Sequence, residues 1–220
     1  WYDGYKMLEL LEEPGPLTDA RDLANLLKRK WTYGEFRLYK ETAEDKVITL
    51  SSCEGYLAQA SERLWAVKAF EDKWFINIAP MCRATQIMLT GTQPEKTWLQ
   101  GLQFDKNLPG KLPVHLAMVI STSEQTRIDA NKSLKHWQDV YHITQVEVLG
   151  SWHSIYRDYG VGIQELELVA KADFNGDKIE VILITSRYSV VGGSYKNVRL
   201  FMLTKYSEAG EVILLNAYEY

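Results

Sequence analysis

The sequence predicts an α+β fold that is mainly antiparallel sheet, with a C-terminal β-meander and two main helices packed on sheets. Three observations predict this class. Residues 18–31 and 121–141 place apolar side chains at helical spacing. Residues 35–51 switch to the alternation and central turn of a β-hairpin. The last sixty or so residues repeat apolar segments separated by Gly-, Asn-, Asp- and Ser-rich sequences, which favour tight turns between antiparallel strands.

The composition is that of a folded globular chain. The 220 residues are 46% hydrophobic, 25% charged and 12% aromatic. Collagen-like, low-complexity and disordered classes are excluded, because they contain far fewer large apolar residues. Residues 105–113 contain two prolines and a glycine and are predicted to be a linker. The chain then divides into 1–108, a helix with antiparallel strands, and 112–220, a helix with the meander, although both parts also fit one compact domain.

The first part is predicted to begin with a short arm or helix over residues 5–13, ended by Pro14-Gly15-Pro16. The helix over residues 18–31 has Thr18 as its N-cap and acidic residues in its first turn. Its apolar stripe comprises Ala20, Leu23, Ala24, Leu27 and Trp31. Further along, we expect hairpins over 35–51 and 64–78, a strand over 86–89, and either helix or loop over 53–62.

The second part is predicted to start with a strand over residues 114–121. Ser121 and Glu124 form a capping box for a helix that runs to Tyr141. Ala130, Leu134, Trp137 and Tyr141 share one face of that helix, and Ile128 lies off it. We expect a strand over 143–149, a loop over 151–162, and meander strands over 163–172, 179–187, 198–206 and 211–217.

The charge and the apolar runs exclude two classes of function. The formal net charge is −4, and each half, divided at residue 110, carries −2. Without a basic lobe, nonspecific nucleic-acid binding has little electrostatic support, and binding in a local groove is the alternative. The longest apolar runs, such as residues 116–120 and 181–184, are far shorter than the roughly 20 residues of a membrane-spanning helix.

The two cysteines, Cys53 and Cys82, are candidates for one disulfide. They lack the CxxC spacing of a structural zinc or thioredoxin-type site. Two buried free thiols are the alternative. The chain begins at Trp1 rather than Met, which suggests either a processed chain whose leader has been removed or a trimmed sequence. A processed, exported chain would lie in an oxidising compartment in which a disulfide persists.

Residues 173–180 contain the motif that carries chemistry. Asp173, Asn175 and Asp177 alternate around Gly176, an arrangement in which side-chain oxygens converge on a calcium ion, with the Ile179 carbonyl nearby. The segment resembles the calcium loop of FG-GAP and VCBS-type repeats, Asp-x-Asn-Gly-Asp-Gly-x-x-Asp before an apolar strand.

The resemblance implies an extracellular or cell-envelope setting and a β-rich adhesion or binding fold. Two positions depart from the pattern: Lys178 replaces the second glycine, and Val181 replaces the closing carboxylate, with Glu180 one residue early. The alternative is a turn in which the Asp and Asn side chains bond to backbone N–H groups. Calcium, with Asp173, Asn175 and Asp177 as its candidate ligands, is the one candidate cofactor.

Aromatic residues near the loops of the second part are candidate ligand contacts. They are Trp152, Tyr156, Tyr159, Tyr188 and Tyr195. Flat rings there suit sugars, peptides or a partner surface, and the alternative is that they cap the sheet. The histidines His115, His136, His142 and His153 lack metal-ligand spacing, and His115 is expected in the core. Common phosphate-loop, nucleophile-elbow and zinc-protease motifs are absent from the sequence.

These observations favour a noncatalytic periplasmic, envelope or secreted protein that binds a protein, peptide or glycan through loops of the C-terminal meander. One alternative is a hydrolase whose site is assembled from residues distant in sequence. A second is a protein with a lipid- or peptide-holding cavity. A concave pocket with convergent carboxylates, or a histidine with an orienting partner, would favour the hydrolase.

Overall fold

The computed structural model describes residues 9–12, 19–41, 43–59, 63–160 and 162–220. The predicted α+β class is confirmed. Within the described residues there are four α-helices and two antiparallel sheets. The helices are α1 Ala20–Lys28, α2 Cys53–Leu57, α3 Ala69–Met88 and α4 Thr122–Ala130. The strands are β1 Phe36–Lys40, β2 Ala43–Leu50, β3 Leu64–Ala66, β4 Ile143–Gly150, β5 His153–Asp158, β6 Gly162–Ala172, β7 Val181–Val190, β8 Lys196–Thr204 and β9 Ile213–Glu219.

The larger sheet is the predicted C-terminal meander, extended by two strands. Strands β4 to β9 pair in chain order, each antiparallel to the next. The smaller sheet has the order β2-β1-β3, and its β1–β2 pair is the hairpin predicted over residues 35–51. The loop predicted over residues 151–162 is wrong, because residues 153–158 form β5. Its side chains alternate between a buried and a half-buried face. The glycines and polar residues on either side of β5 obscure this alternation in the sequence.

The six-stranded sheet forms the middle layer of the molecule. Alternate residues of β7 and β8 point to opposite faces, so Leu183, Leu200 and Met202 join one core with α1, α2 and α3. Ile182 and Phe201 join a second core with the irregular segment 99–141. Both cores contain residues from before position 108 and after position 112. The division into two domains stays a prediction.

The segment predicted as a linker packs against the sheet. Leu108, Pro109 and Leu112 are buried, and a 3₁₀ turn spans Leu108–Gly110. Its prolines thus shape a buried connection. None of the helices in the described part of the chain combines the length and apolar character needed to cross a bilayer.

Helix α3 overturns the hairpin predicted over residues 64–78 and the strand predicted over 86–89. Only Leu64–Ala66 is a strand, and it pairs with β1. Residues 69–88 are one helix whose buried side chains surround much of its axis, from Phe75 to Met88. A helix enclosed on several sides shows no single apolar stripe, so its apolar clusters resemble strands in the sequence.

The segment 114–141 is also less regular than predicted. Residues 114–116 form a 3₁₀ turn instead of a strand. Ser121 caps α4 as predicted, its Oγ accepting from Glu124 N at 3.2 Å. The helix ends at Ala130 because the Asn131 side chain accepts from the N–H of Ser133, an alternative to helical bonding. Ile128, which lies off the predicted apolar face, is the buried residue of α4.

Helix α1 begins one residue after an aspartate cap. Asp19 Oδ1 accepts from the N–H groups of Arg21 and Asp22, and the Asp22 carboxylate accepts from Asp19 N. Thr18, the predicted cap, and Pro14-Gly15-Pro16 lie outside the described residues, as do residues 5–8 and 13 of the predicted arm. Leu23 and Leu26 are buried on the inner face of α1.

A disulfide joins Cys53 to Cys82, as predicted. Both residues are fully buried, and their Cα atoms are 5.1 Å apart. The bond ties the first turn of α2 to the second half of α3 and lies in the same core as Phe75 and Ile78.

Candidate functional site

The Asp173 loop, residues 173–180, connects β6 to β7 and brings the three predicted calcium ligands together. Asp173 Oδ1 accepts from the N–H groups of Asn175 and Gly176 at 3.2 and 2.7 Å, and its Oδ2 accepts from Lys178 N at 2.8 Å. Asp177 accepts from Ile179 N and from the Asn175 amide, both at 2.8 Å. Each of the four carboxylate oxygens therefore has a donor from the chain.

These hydrogen bonds set the charge state of Asp173. The residue is 2% exposed. Burial raises the pKa of Asp173, but bonds from three backbone N–H groups and the Thr92 hydroxyl outweigh it, so the pKa lies below its ordinary value. The carboxylate that closes the loop is thus ionised at neutral pH. The bonds to Asp173 and Asp177 are those of the alternative interpretation, a turn in which acidic side chains accept from backbone N–H groups.

Lys178, which stands where the repeat pattern has glycine, adopts an unusual backbone conformation. Lys178 has a φ of +70°, and Gly176 has a φ of +80°. This is the left-handed region that glycine enters without steric cost, and the repeat pattern has glycine at both positions. The Lys178 ammonium donates to Glu95 Oε1 at 2.7 Å. At position 178 the loop therefore keeps the left-handed backbone conformation that the pattern assigns to glycine, and the lysine there adopts it at a steric cost.

The Asp173 loop fixes a neighbouring segment, residues 92–97. Thr92 and Asp173 exchange two backbone hydrogen bonds of 2.9 Å. Glu180 N donates to the Lys96 carbonyl at 2.8 Å, and the Thr97 hydroxyl donates to the Glu180 carboxylate at 2.7 Å. The residues that follow, 97–102, form a wall of a cavity, so the loop holds that wall in place.

The β8–β9 cavity lies between residues 97–102, the 3₁₀ turns of the 108–139 region and the β8–β9 loop, and has a volume of about 660 Å³. Its charged side chains have both signs: Lys111 and Lys205 face it together with Glu208 and Glu211. The indole of Trp98 and the half-buried ring of His136 add flat surfaces. Trp98 Nε1 is buried and has no hydrogen-bond partner among the described residues.

The chain matches no protein-family model, no curated protein and no solved structure. Its function is therefore inferred from the chemistry of the described residues. The resemblance of residues 173–180 to a calcium loop remains a resemblance of one loop.

The candidate aromatic contacts separate into buried and accessible rings. Tyr156 and Tyr188 are 1% and 2% exposed, and their hydroxyls donate to the carbonyls of Asp105 and Leu116. Both rings belong to the interior, because the face of the sheet that carries them is covered by segment 99–141. In this folded structure a ligand therefore reaches neither ring.

The other three candidates lie nearer the surface. Trp152 is half-buried, with its ring against Phe104 and the Lys171 ammonium 4.5 Å from its centroid. Tyr195 is half-buried and donates to the Val119 carbonyl, and Tyr159 is 86% exposed. Hence the structure does not bring the candidate rings together on one surface.

The His153 cluster, formed by His153, Glu165, Glu167 and Arg187, was missed in the sequence because β5 was predicted as a loop. Strand pairing places His153 opposite Glu167, and Glu165 opposite Arg187. His153 Nε2 is 2.6 Å from Glu165 Oε1. Arg187 NH1 is 3.1 Å from Glu167 Oε2 and 3.7 Å from Glu165 Oε1.

The surroundings of the His153 cluster allow two kinds of chemistry. A cavity of about 270 Å³ reaches Glu165 and Arg187 from the side of α3, where Tyr33 and Trp74 stack with centroids 4.4 Å apart. The ligand atoms of His153, Glu165 and Glu167 lie within 4.8 Å of one another, close enough to hold a metal ion. The Arg187 guanidinium already compensates both carboxylates, which opposes a second cation.

Proposed function

We propose that this chain is a noncatalytic envelope or secreted protein that binds a ligand or partner through a loop of its C-terminal meander. The observation that carries the proposal is the β8–β9 cavity, whose volume of about 660 Å³ lies in the range of small-molecule sites. One wall is the β8–β9 loop, with Lys205, Glu208 and Glu211. The opposite wall is held by the Asp173 loop.

The chemistry of the cavity favours a polar ligand with both donors and acceptors, such as a glycan or a peptide segment. Lys111 and Lys205 donate to ligand oxygens, and Glu208 and Glu211 accept from ligand hydroxyls or amides. The Trp98 indole supplies a flat apolar surface. Charged side chains of both signs do not favour the lipid-holding alternative.

An extracytoplasmic location is supported by the disulfide between Cys53 and Cys82, since structural disulfides persist mainly in oxidising compartments. The loop resemblance to FG-GAP and VCBS-type repeats supports the same setting.

The proposal is tested by probing arrays of defined glycans and short peptides with the labelled protein and with a Lys111→Ala/Glu211→Ala variant. Both side chains are exposed, so the variant should fold. Loss of charge-assisted bonds should weaken binding to any array hit at least tenfold. The matched control is Lys132→Ala/Glu147→Ala, at exposed positions outside the cavity. Equal binding by both double variants, or no array hit at all, would contradict the proposal.

A hydrolase is the second candidate, and the pair of His153 and Glu165 favours it. A carboxylate 2.6 Å from an imidazole can orient a general base. A binding role is favoured instead by Arg187, whose NH1 lies 3.7 Å from Glu165 Oε1 and so competes with the imidazole for the same oxygen. Hydrolysis of nitrophenyl esters or glycosides that is abolished by His153→Gln would decide for the enzyme.

A further inference from the structure

A third cavity lies between α2, α3, β3 and β9, and it shares no lining residue with the β8–β9 cavity. This Arg83 cavity has a volume of about 360 Å³. The side chains that matter for its chemistry are Tyr56, Arg63, Phe75, Arg83, Tyr218 and Tyr220. They come from α2, α3 and β9 and from the residues just before β3 and just after β9.

The Arg83 cavity has a surplus of positive charge. Neither Arg63 nor Arg83 forms an ion pair with a carboxylate among the described residues. Arg83 NH1 donates to the neutral amide of Gln86 at 2.6 Å. Glu219 lines the cavity, but its carboxylate is 2.8 Å from Arg199 NH2. An acidic protein therefore carries two uncompensated guanidinium groups around one cavity.

The hydroxyl groups of the cavity are donors as well. Burial raises the pKa of Tyr56 to about 12, with Arg83 opposing the shift. Burial also raises the pKa of Tyr220. Both phenols are thus protonated at neutral pH and can donate to an anion.

Two donors of the cavity lack a hydrogen bond of ordinary length and angle. They are the buried Tyr220 hydroxyl and the buried Arg83 Nε, although the Arg83 guanidinium lies close enough to the Tyr220 hydroxyl to oppose the rise of its pKa. Unpaired buried donors cost free energy that a ligand acceptor would recover. Both atoms are closed off from solvent, so contact with a ligand requires a movement of the Tyr220 or Arg83 side chain.

The remaining walls are aromatic. The Tyr56 and Phe75 rings meet edge to face, with centroids 5.6 Å apart. The Arg83 guanidinium lies 5.5 Å from the Tyr218 centroid. Flat apolar walls beside cationic groups fit a ligand that has an apolar or aromatic body and an anionic end.

We propose that the Arg83 cavity binds a small organic anion, a carboxylate or a phosphate monoester on an aromatic or apolar body. Its anionic end lies between the guanidinium groups of Arg63 and Arg83. Its body packs against Phe75 and the tyrosine rings.

The disulfide makes this site redox-dependent. Tyr56 follows Cys53 by one helical turn, and Arg83 is adjacent to Cys82. The cross-link therefore limits the separation of two residues that line the cavity. Reduction leaves Arg83 and Tyr56 held by packing alone, so phenyl phosphate should bind more weakly to the reduced protein than to the oxidised protein when both are titrated.

Isothermal titration with benzoate, phenyl phosphate, inorganic phosphate and neutral benzamide tests the proposal and distinguishes the two anion classes. Benzoate or phenyl phosphate should bind at least tenfold more tightly than benzamide, and phenyl phosphate more tightly than inorganic phosphate. Equal affinity for benzoate and benzamide, or no heat with either organic anion, would overturn the proposal.

Arg83→Gln should weaken binding of the better anion at least tenfold, because a charge-assisted bond is lost. Arg127→Gln is the matched control, since Arg127 lies on α4 and is 72% exposed. If Arg83→Gln does not fold, the exposed Arg63→Gln variant carries the test. Binding unchanged in the tested cavity variant relative to Arg127→Gln refutes the site. Array binding at the β8–β9 cavity is a separate readout, so either proposal can fail alone.

Discussion

Replacing Cys53 and Cys82 by alanine removes the covalent link between α2 and α3. The two residues are 29 positions apart, and a loop of that length gives a chain-entropy stabilisation of about 3.5 kcal/mol at 25 °C. With a urea m-value of about 2–3 kcal/mol per molar, the midpoint of unfolding should fall by about 1–2 M. Urea unfolding followed by circular dichroism measures this shift.

The control for the alanine variant is the reduced wild-type chain. Both proteins lack the cross-link, but only the reduced chain keeps the two buried sulfurs. The double-alanine chain should therefore have a midpoint at or somewhat below that of the reduced chain, and both midpoints should lie well below that of the oxidised protein. A loss smaller than about 1 kcal/mol in both would refute the argument, since it would mean that packing around α3 already holds the ends of the loop together.

Three further predictions concern the Asp173 loop. Lys178→Gly should be more stable than Lys178→Ala by about 0.5–1 kcal/mol in urea unfolding, because alanine keeps the left-handed strain that glycine relieves; equal stability would exclude strain. Asp173→Asn should cost about 1–2 kcal/mol at pH 7. The pKa of Asp173 is lower in the folded chain than in the unfolded chain. The loss of stability in Asp173→Asn should therefore be complete above the unfolded pKa of about 3.9 and should disappear as the pH falls through the folded pKa. A loss of stability that persists in acid would contradict the argument. Millimolar calcium, against an EDTA control, should leave the melting temperature unchanged because the loop carboxylates already accept four backbone bonds; a clear rise would instead establish the calcium site.

The meander could be predicted because its signals are local. Each strand of β6 to β9 alternates or forms an apolar run, and Gly176 and Gly192 sit at positive φ in the turns. The first helix could be predicted from its apolar stripe, which includes Leu23, but its cap is Asp19 instead of the predicted Thr18, and it ends at Lys28.

Helix α3 could not be predicted, because its burial depends on partners from distant parts of the chain. Its residues contact β8, β6 and the other helices of the first core. The same limit applies to the candidate sites. Trp98 and Lys205 share a cavity, and His153 meets Glu165, only once the strand register and the covering segments are known.

The position of the six-stranded sheet between two cores has a consequence for truncation. Residues 97–220 on their own would keep every strand pairing of the larger sheet but lose α3. Leu183, Leu200 and Met202 would then form a flat apolar surface open to water, which promotes association between copies. We therefore expect the smallest fragment that does not gain this association to include the segment from α1 to α3 as well as the meander.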